Sequence, residues 1–398
     1  MFASLRAPGF AAFLASQTSS SLGLWVLRIA QDWLVVDLTH SPMAVGIVAA
    51  LQFAPLIALA PLSGVIADRY SNRSILLVTQ SVLCVLPAVI AVLVAVHRIE
   101  MVELYAFALL LGIVSTLDGP ARQTFTNSIV GTGRLGNAVG LVSAAFSLAG
   151  LAGPLLAAWL LGQISGAWCF AVTSVGYLPN LYVVLRSSRV PPSASRPPTH
   201  IFRQLVDGIR YITTQRRLAV PMTLVGVIGM LVAVLPVVLI GFTTEVFRGD
   251  AAGYAELTAT VSLGSFVGSS LSARRAESTV RQLFWRALTI GSLYMLASAS
   301  PTRAVLIVAL FAAGVMTLRF LVAALTMLQV NADAVMRGRV HSVYLLAQVA
   351  VSPVCAPVVG RIIQQFGARV GLFSCGLAAT LAILLVALRN RPVDPATV

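Results

Sequence analysis

Four groups of charged residues interrupt an otherwise apolar chain, and each is positioned to do electrostatic chemistry. Arg28 and Asp32 lie four residues apart inside one long apolar run. At that spacing two side chains share a helical face and can pair. A charge within a membrane is costly unless it is paired or faces a watery cavity, so both are candidates for a substrate or proton pathway. A self-neutralised structural pair near the interface is the alternative. Arg319 lies inside an apolar run of the second half, where a guanidinium must meet an acid, carbonyl dipoles or an anionic ligand. Asp32 and a substrate carboxylate or phosphate are its natural partners; snorkelling to the surface is the alternative. Asp118 and Arg122 repeat the acid-to-base spacing of four around Pro120, which is read as a bent or broken helix end. The stretch Gly64-Val-Ile-Ala-Asp68-Arg69-Tyr-Ser-Asn-Arg73 packs a glycine, an acid and two arginines between two long apolar segments. Arginines so placed mark a cytoplasmic loop.

Composition fixes what positions these charges. Of 398 residues, 58% are hydrophobic and only 10% charged, and the mean hydropathy is +0.92. Such a chain is an all-α protein of the lipid bilayer, because its apolar runs are long and do not alternate as barrel strands do. At about 20 apolar residues per crossing, the length holds roughly 12 transmembrane helices. The net charge of +14 comes from arginines in short loops, the pattern of membrane topology, and implies no nucleic acid partner. All 27 basic residues are arginine and none is lysine; this reads as coding bias and carries no mechanism. Cys84, Cys169, Cys355 and Cys375 fall in apolar segments without a Cys-x-x-Cys spacing, so they read as small core residues, with no disulfide, metal site or cofactor expected. A phosphate-binding Gly-x-x-x-x-Gly-Lys motif is absent from the sequence, so neither ATP hydrolysis nor another enzyme activity is expected.

Apolar runs and their breakers predict spans near 10–36, 42–67, 74–97, 101–122, 138–163 and 166–186, then 218–246, 254–273, 284–300, 303–328, 340–364 and 368–389. Most arginines fall on the side of the termini, which places both termini in the cytoplasm. The segment from Arg186 to Arg217 divides the chain. Its proline- and serine-rich part reads as a linker. After it, Ile201, Phe202, Leu205, Ile209 and Ile212 recur at helical spacing and predict a short surface helix with Thr199 as its cap. The expected organisation is a bundle at 1–189, a cytoplasmic linker at 190–217 and a bundle at 218–398. A shift of 203 positions superposes Arg134 on Arg337, Pro154 on Pro357 and Phe170 on Phe373, a weak internal repeat that favours two six-helix bundles.

Several of these strings resemble known transporters. Gly64-x-x-x-Asp68-Arg69-x-x-x-Arg73 is similar to the loop signature between helices 2 and 3 of the major facilitator superfamily, with Ser71 and Asn72 where a glycine and a base are usual. The segment Gly23 to Pro42 resembles the first helix of the enterobactin-exporter-like branch, in which a neutral residue is more common at the place of Arg28. Leu117-Asp118-Gly-Pro-Ala-Arg122-Gln-Thr-Phe125, Asn137-Ala-Val-Gly-Leu and Met336-Arg337-Gly-Arg339-Val-His341 are similar to the same branch. Gly150-Leu-Ala-Gly153-Pro154 resembles a helix-packing signature of drug antiporters, with Ala157 and Ala158 in place of its final glycine pair. The resemblance implies a twelve-helix secondary transporter of the bacterial cytoplasmic membrane, monomeric, exporting a small molecule (drug, siderophore or secondary metabolite) against protons. It also implies a cytoplasmic latch of Asp68 against Arg339 and a helix N-terminus, with Arg69, Arg73, Arg337, Asp118 and Arg122 around the gate. A metabolite uptake carrier of the same fold and a non-transporting scaffold are the alternatives, and the buried Arg28, Asp32 and Arg319 argue against the scaffold.

Overall fold

In hydrocarbon every backbone N–H and C=O must be satisfied within its own segment, and in the computed structural model every described element is helical. The structure describes residues 9–59, 70–130, 135–187, 201–272, 279–333 and 335–389. Gly64, Asp68 and Arg69, the linker up to Thr199, and Arg134 lie outside the described residues.

The first half comprises α1 (Phe10–Thr39), α2 (Pro42–Ala58), α3 (Asn72–Ala95), α4 (Met101–Val130), α5 (Leu135–Gln163) and α6 (Gly166–Arg186). The second comprises α7 (Ile201–Thr214), α8 (Arg216–Gly241, continued by one π turn, Phe242–Val246), α9 (Ala251–Ser272), α10 (Val280–Ser298), α11 (Arg303–Asn331), α12 (Arg337–Val349), α13 (Ser352–Phe366) and α14 (Ala368–Arg389). Each of the twelve expected spans contains a helix, the eleventh being the pair α12 and α13. Nine segments of the described residues are long and apolar enough to cross a membrane; α2, with 17 residues, is apolar but shorter.

One expectation fails locally. The fourth span was expected to stop at 122, bent or broken by Pro120, yet α4 runs on to Val130. Proline removes a single helical hydrogen bond, that from position 120 to the Thr116 carbonyl, and membrane helices tolerate such a loss. Beyond it, Thr124 and Thr126 donate back to the carbonyls of Pro120 and Arg122, at 3.0 and 2.8 Å.

The chain divides into two compact units, Met1–Phe202 with Gly249–Ala259, and Arg203–Arg248 with Thr260–Val398. In the first unit α1 packs on α5 and α6, α3 on α4 and α6, and α2 on α4. The faces of α3 show the membrane's inversion of ordinary amphipathicity. Val78, Val85 and Val92 are exposed while Thr79 and Gln80 are buried. Lipid tails are as apolar as valine, so hydrophobicity cannot decide which side faces in. Close packing and interhelical hydrogen bonds decide it instead.

In the second unit α8 is central, packed by α11, α12, α13 and α14, and α10 lies on α11 and α14. Helix α7 belongs to this unit. Val206 and Ile209 are exposed, whereas Gly208 and Ile212 are buried. Of the expected stripe, Ile212 is thus buried and Ile209 exposed. At Gly208 a Cβ would stand 3.3 Å from side-chain atoms of Arg339 and Val343, so α7 lies close to α12 there.

Candidate functional site

The site in the first unit is built on α1. Trp25 lies against the two glycines of α5: a Cβ on Gly153 would stand 2.4 Å from the Trp25 Cβ, and one on Gly150 would stand 3.2 Å from its ring. The glycine spacing thus opens a groove that receives one indole. One turn further along α1, the guanidinium of Arg28 lies over that indole, 5.3 Å from the ring centroid, a cation–π contact.

Arg28 and Asp32 share the predicted face but do not form the predicted pair. Ion pairs are seen between Arg122 and Asp118 and between Arg339 and Asp207. Asp32 instead accepts a hydrogen bond from the Tyr254 hydroxyl at 2.7 Å. Tyr254 is in the first turns of α9, which group with the first unit. Beside Arg28 is a cavity of about 160 Å³ walled by α1, α2, α3 and α4. Its floor carries Gln52, which donates to the Gln31 side chain at 2.8 Å.

Asp118 and Arg122 do pair, and the pair is the end of a larger buried network that charge spacing alone did not disclose. Asp118 also accepts from Thr79 at 2.8 Å and from Gln80 at 2.6 Å. The Asn180 amide donates both to Gln80, at 3.2 Å, and to Gln17, at 2.7 Å. Ser16 donates to the Asn180 carbonyl oxygen at 3.4 Å. Gln80, Asp118 and Asn180 are each no more than 1% exposed. The network joins α1, α3, α4 and α6 through side chains, and its only charged members are Asp118 and Arg122. The signal was present in the sequence as neutral amides inside apolar runs, among them Gln17, Gln80 and Asn180.

The remaining residues expected at the gate occupy different settings. Arg73 donates to the carbonyls of Val184, Leu185 and Ser187, at 3.2, 2.9 and 3.1 Å. These are unsatisfied carbonyls at the end of α6, so Arg73 is its C-terminal cap. Arg339 reaches Asp207 of α7 at 3.4 Å, and the Tyr211 hydroxyl of α7 donates to Asp333 at 2.8 Å. These two contacts hold the linker helix to the start of α12. Arg337 is exposed and donates to the Ala332 carbonyl at 3.3 Å. Arg319 is half-buried near the middle of α11, and its backbone carbonyl accepts from Arg286 at 3.4 Å. Pro154 is buried within α5. Among the described residues there is no cluster of three or more metal-ligating side chains, and the four cysteines are free thiols.

This geometry can be set beside known proteins. A family model described as transmembrane secretion effector matches residues 1–396. The chain is similar to the enterobactin exporter EntS of Shigella flexneri, 24% identical over 355 residues, which cover 89% of this chain and 84% of that protein. Among solved structures it is similar to a bacterial homologue of the human lysosomal transporter Spinster, inward-facing and unoccupied, with a TM-score of 0.73, 15% identity and coverage of 96% and 95% of the two chains. It is similar also to the nucleoside transporter NupG, with a TM-score of 0.73, 10% identity and coverage of 96% and 98%. At these identities the likeness to the solved structures is one of fold.

Proposed function

Because the chain belongs to the transmembrane secretion effector family and has the major facilitator fold, we propose that it exports a small molecule from the cytoplasm by alternating access, in exchange for protons. The observation that carries the proposal is Arg28: a guanidinium held in mid-helix by Trp25, without an ion-pair partner among the described residues, on the wall of a cavity. Intramembrane charge of this kind marks a transport pathway. The relative named as an enterobactin exporter supports the outward direction.

In this proposal residues 1–189 and 218–398 are the two moving bundles and 190–217 the tether, in a monomer of the bacterial cytoplasmic membrane with both termini inside. Asp32 carries the coupling proton. As a carboxylate it is a pure acceptor for the Tyr254 hydroxyl; protonated, it accepts less strongly and gains a donor of its own. Its proton occupancy thereby biases the first turns of α9 on α1, and an occupant can shift an equilibrium only by such a difference between states. Arg319 is the corresponding charge of the second half of the pathway. The gate comprises Gly64, Asp68, Arg69, Arg337 and Arg339, and Asp207 competes with Asp68 for the Arg339 guanidinium.

A deletion strain screened against toxic compounds and siderophores identifies the substrate. In everted vesicles with an acid interior, that substrate is expected to accumulate and to discharge the pH gradient as it enters. Movement of substrate outward together with protons would make the protein an uptake carrier, and transport indifferent to the gradient would refute proton coupling.

A further inference from the structure

The cavity beside Arg28 says what kind of molecule it takes, an inference that rests on the transporter proposal above. We infer that it is an anion-binding subsite for a carboxylate or similar acidic group borne on an apolar body about the size of one benzene ring.

Charge comes first. Arg28 is the only charged residue among those lining the cavity. Its guanidinium has no hydrogen bond or ion pair among the described residues; Asp32, one turn on, acts on it only through space, while its carboxylate accepts from Tyr254. The guanidinium lies over the indole of Trp25, its Cζ 5.3 Å from the ring centroid. A cation–π contact takes up no N–H···O bond, so the guanidinium keeps its N–H groups for a carboxylate, which it can meet in two parallel hydrogen bonds. A cation would be repelled here, and a neutral molecule would leave the guanidinium's N–H groups without a charged acceptor.

Size and polarity come next. The cavity is about 160 Å³, with Leu27, Phe53, Leu83 and Leu111 in its walls. An apolar cavity of roughly 150 Å³ in another protein admits benzene, so the space suits one six-membered ring. Of the polar neighbours, the Thr116 hydroxyl donates to the Gly112 carbonyl at 2.8 Å and the Gln52 amide to Gln31, while the Ser115 hydroxyl is a further neutral donor on the wall. Arg28 is thus the one charged donor among the lining residues for the head of the ligand.

The test uses purified full-length protein in nanodiscs, titrated by saturation-transfer NMR with benzoate and with benzamide, which share a ring and differ in charge. Benzoate is expected to bind about tenfold or more tightly than benzamide, the worth of one charge-assisted hydrogen bond. Arg28→Gln removes that preference, bringing benzoate down to the level of benzamide; Arg28→Lys keeps part of it. Leu111→Phe, which fills the cavity without touching the charge, weakens both probes. Equal binding of the two probes by wild type, or a benzoate preference that survives in Arg28→Gln, overturns the inference. If Arg28→Gln does not fold, undiminished benzoate binding by Leu111→Phe overturns it instead. Gradient-driven export is measured on the same purified protein reconstituted into closed liposomes. Export without a benzoate preference sinks the subsite alone, whereas an Arg28-dependent preference without export sinks the transport proposal alone.

Discussion

Replacing Asp118 by asparagine should destabilise the first unit while leaving its shape intact, because it strips the buried network of its only negative charge. Wild-type Asp118 accepts from Thr79, Gln80 and Arg122 together. An asparagine offers one acceptor oxygen and turns an N–H₂ toward groups that are themselves donors. Removing one partner of a buried ion pair costs about 3–5 kcal/mol, since the other charge stays buried and uncompensated. The Asp118 side chain is 2% exposed and that of Arg122 is 27% exposed, so water relieves part of the orphaned charge and the low end applies, about 3 kcal/mol. Arg122→Gln alone should cost a similar amount. The double variant, Asp118→Asn with Arg122→Gln, holds no buried charge and should recover about 2 kcal/mol of the summed loss, within the range of measured couplings. The assay is the midpoint of unfolding in mixed detergent micelles for wild type, both singles and the double. Singles within about 0.5 kcal/mol of wild type, or a double equal to their sum, would refute the reasoning. A purely gating role for this pair predicts the opposite pattern, in which stability is kept and transport is lost.

Three further perturbations separate the remaining roles. Gly153→Ala puts a methyl 2.4 Å from the Trp25 Cβ, against backbone-anchored rather than flexible atoms, and should cost about 1–3 kcal/mol by overpacking; Gly150→Ala, meeting the ring edge at 3.2 Å, should cost less, and a melting comparison that reverses this order would refute the groove. Asp32→Asn should abolish substrate-driven proton movement in vesicles, whereas Tyr254→Phe, which removes only the donor to Asp32, should change the rate and keep the coupling; proton flux unaltered by Asp32→Asn would place the carrier elsewhere. Asp207→Asn should change the unfolding midpoint by less than about 1 kcal/mol, because its bond to Arg339 is 3.4 Å long between side chains 44% and 32% exposed, and exposed pairs contribute little.

What hydropathy could read, it read well, for a physical reason. A backbone in hydrocarbon has one solution per segment, so a long apolar run such as 368–389 is a helix with the same ends in sequence and structure. Arg73 shows where that logic stops. From its neighbours it reads as a loop base beside Asp68. Its partners, however, are the final carbonyls of α6, more than a hundred residues away, and only the packing of α3 on α6 brings them together. The buried amides were legible in part: Gln17, Gln80 and Asn180 are conspicuous in apolar runs, but attention to charge passed over them. Which amide meets which depends on helix rotation, and apolar residues on both the lipid and the core face erase the periodicity that would reveal it.

Arg28 and Asp32 illustrate a subtler loss. The spacing of four states correctly that the two side chains can meet, and it is silent on competitors from other helices. In the fold each has another partner: the indole of Trp25 for Arg28, the hydroxyl of Tyr254 for Asp32. Trp25 in turn depends on Gly150 and Gly153, because any Cβ at 153 would displace it. The glycine string and the buried arginine, which look like independent signals along the chain, are therefore one device. Two missing side chains on α5 admit the indole, the guanidinium lies over the indole, and the same guanidinium lines the cavity. A substitution at Gly153 should thus alter anion recognition at Arg28 without touching it, and the loss should exceed that from Gly150, in the order of their distances to Trp25.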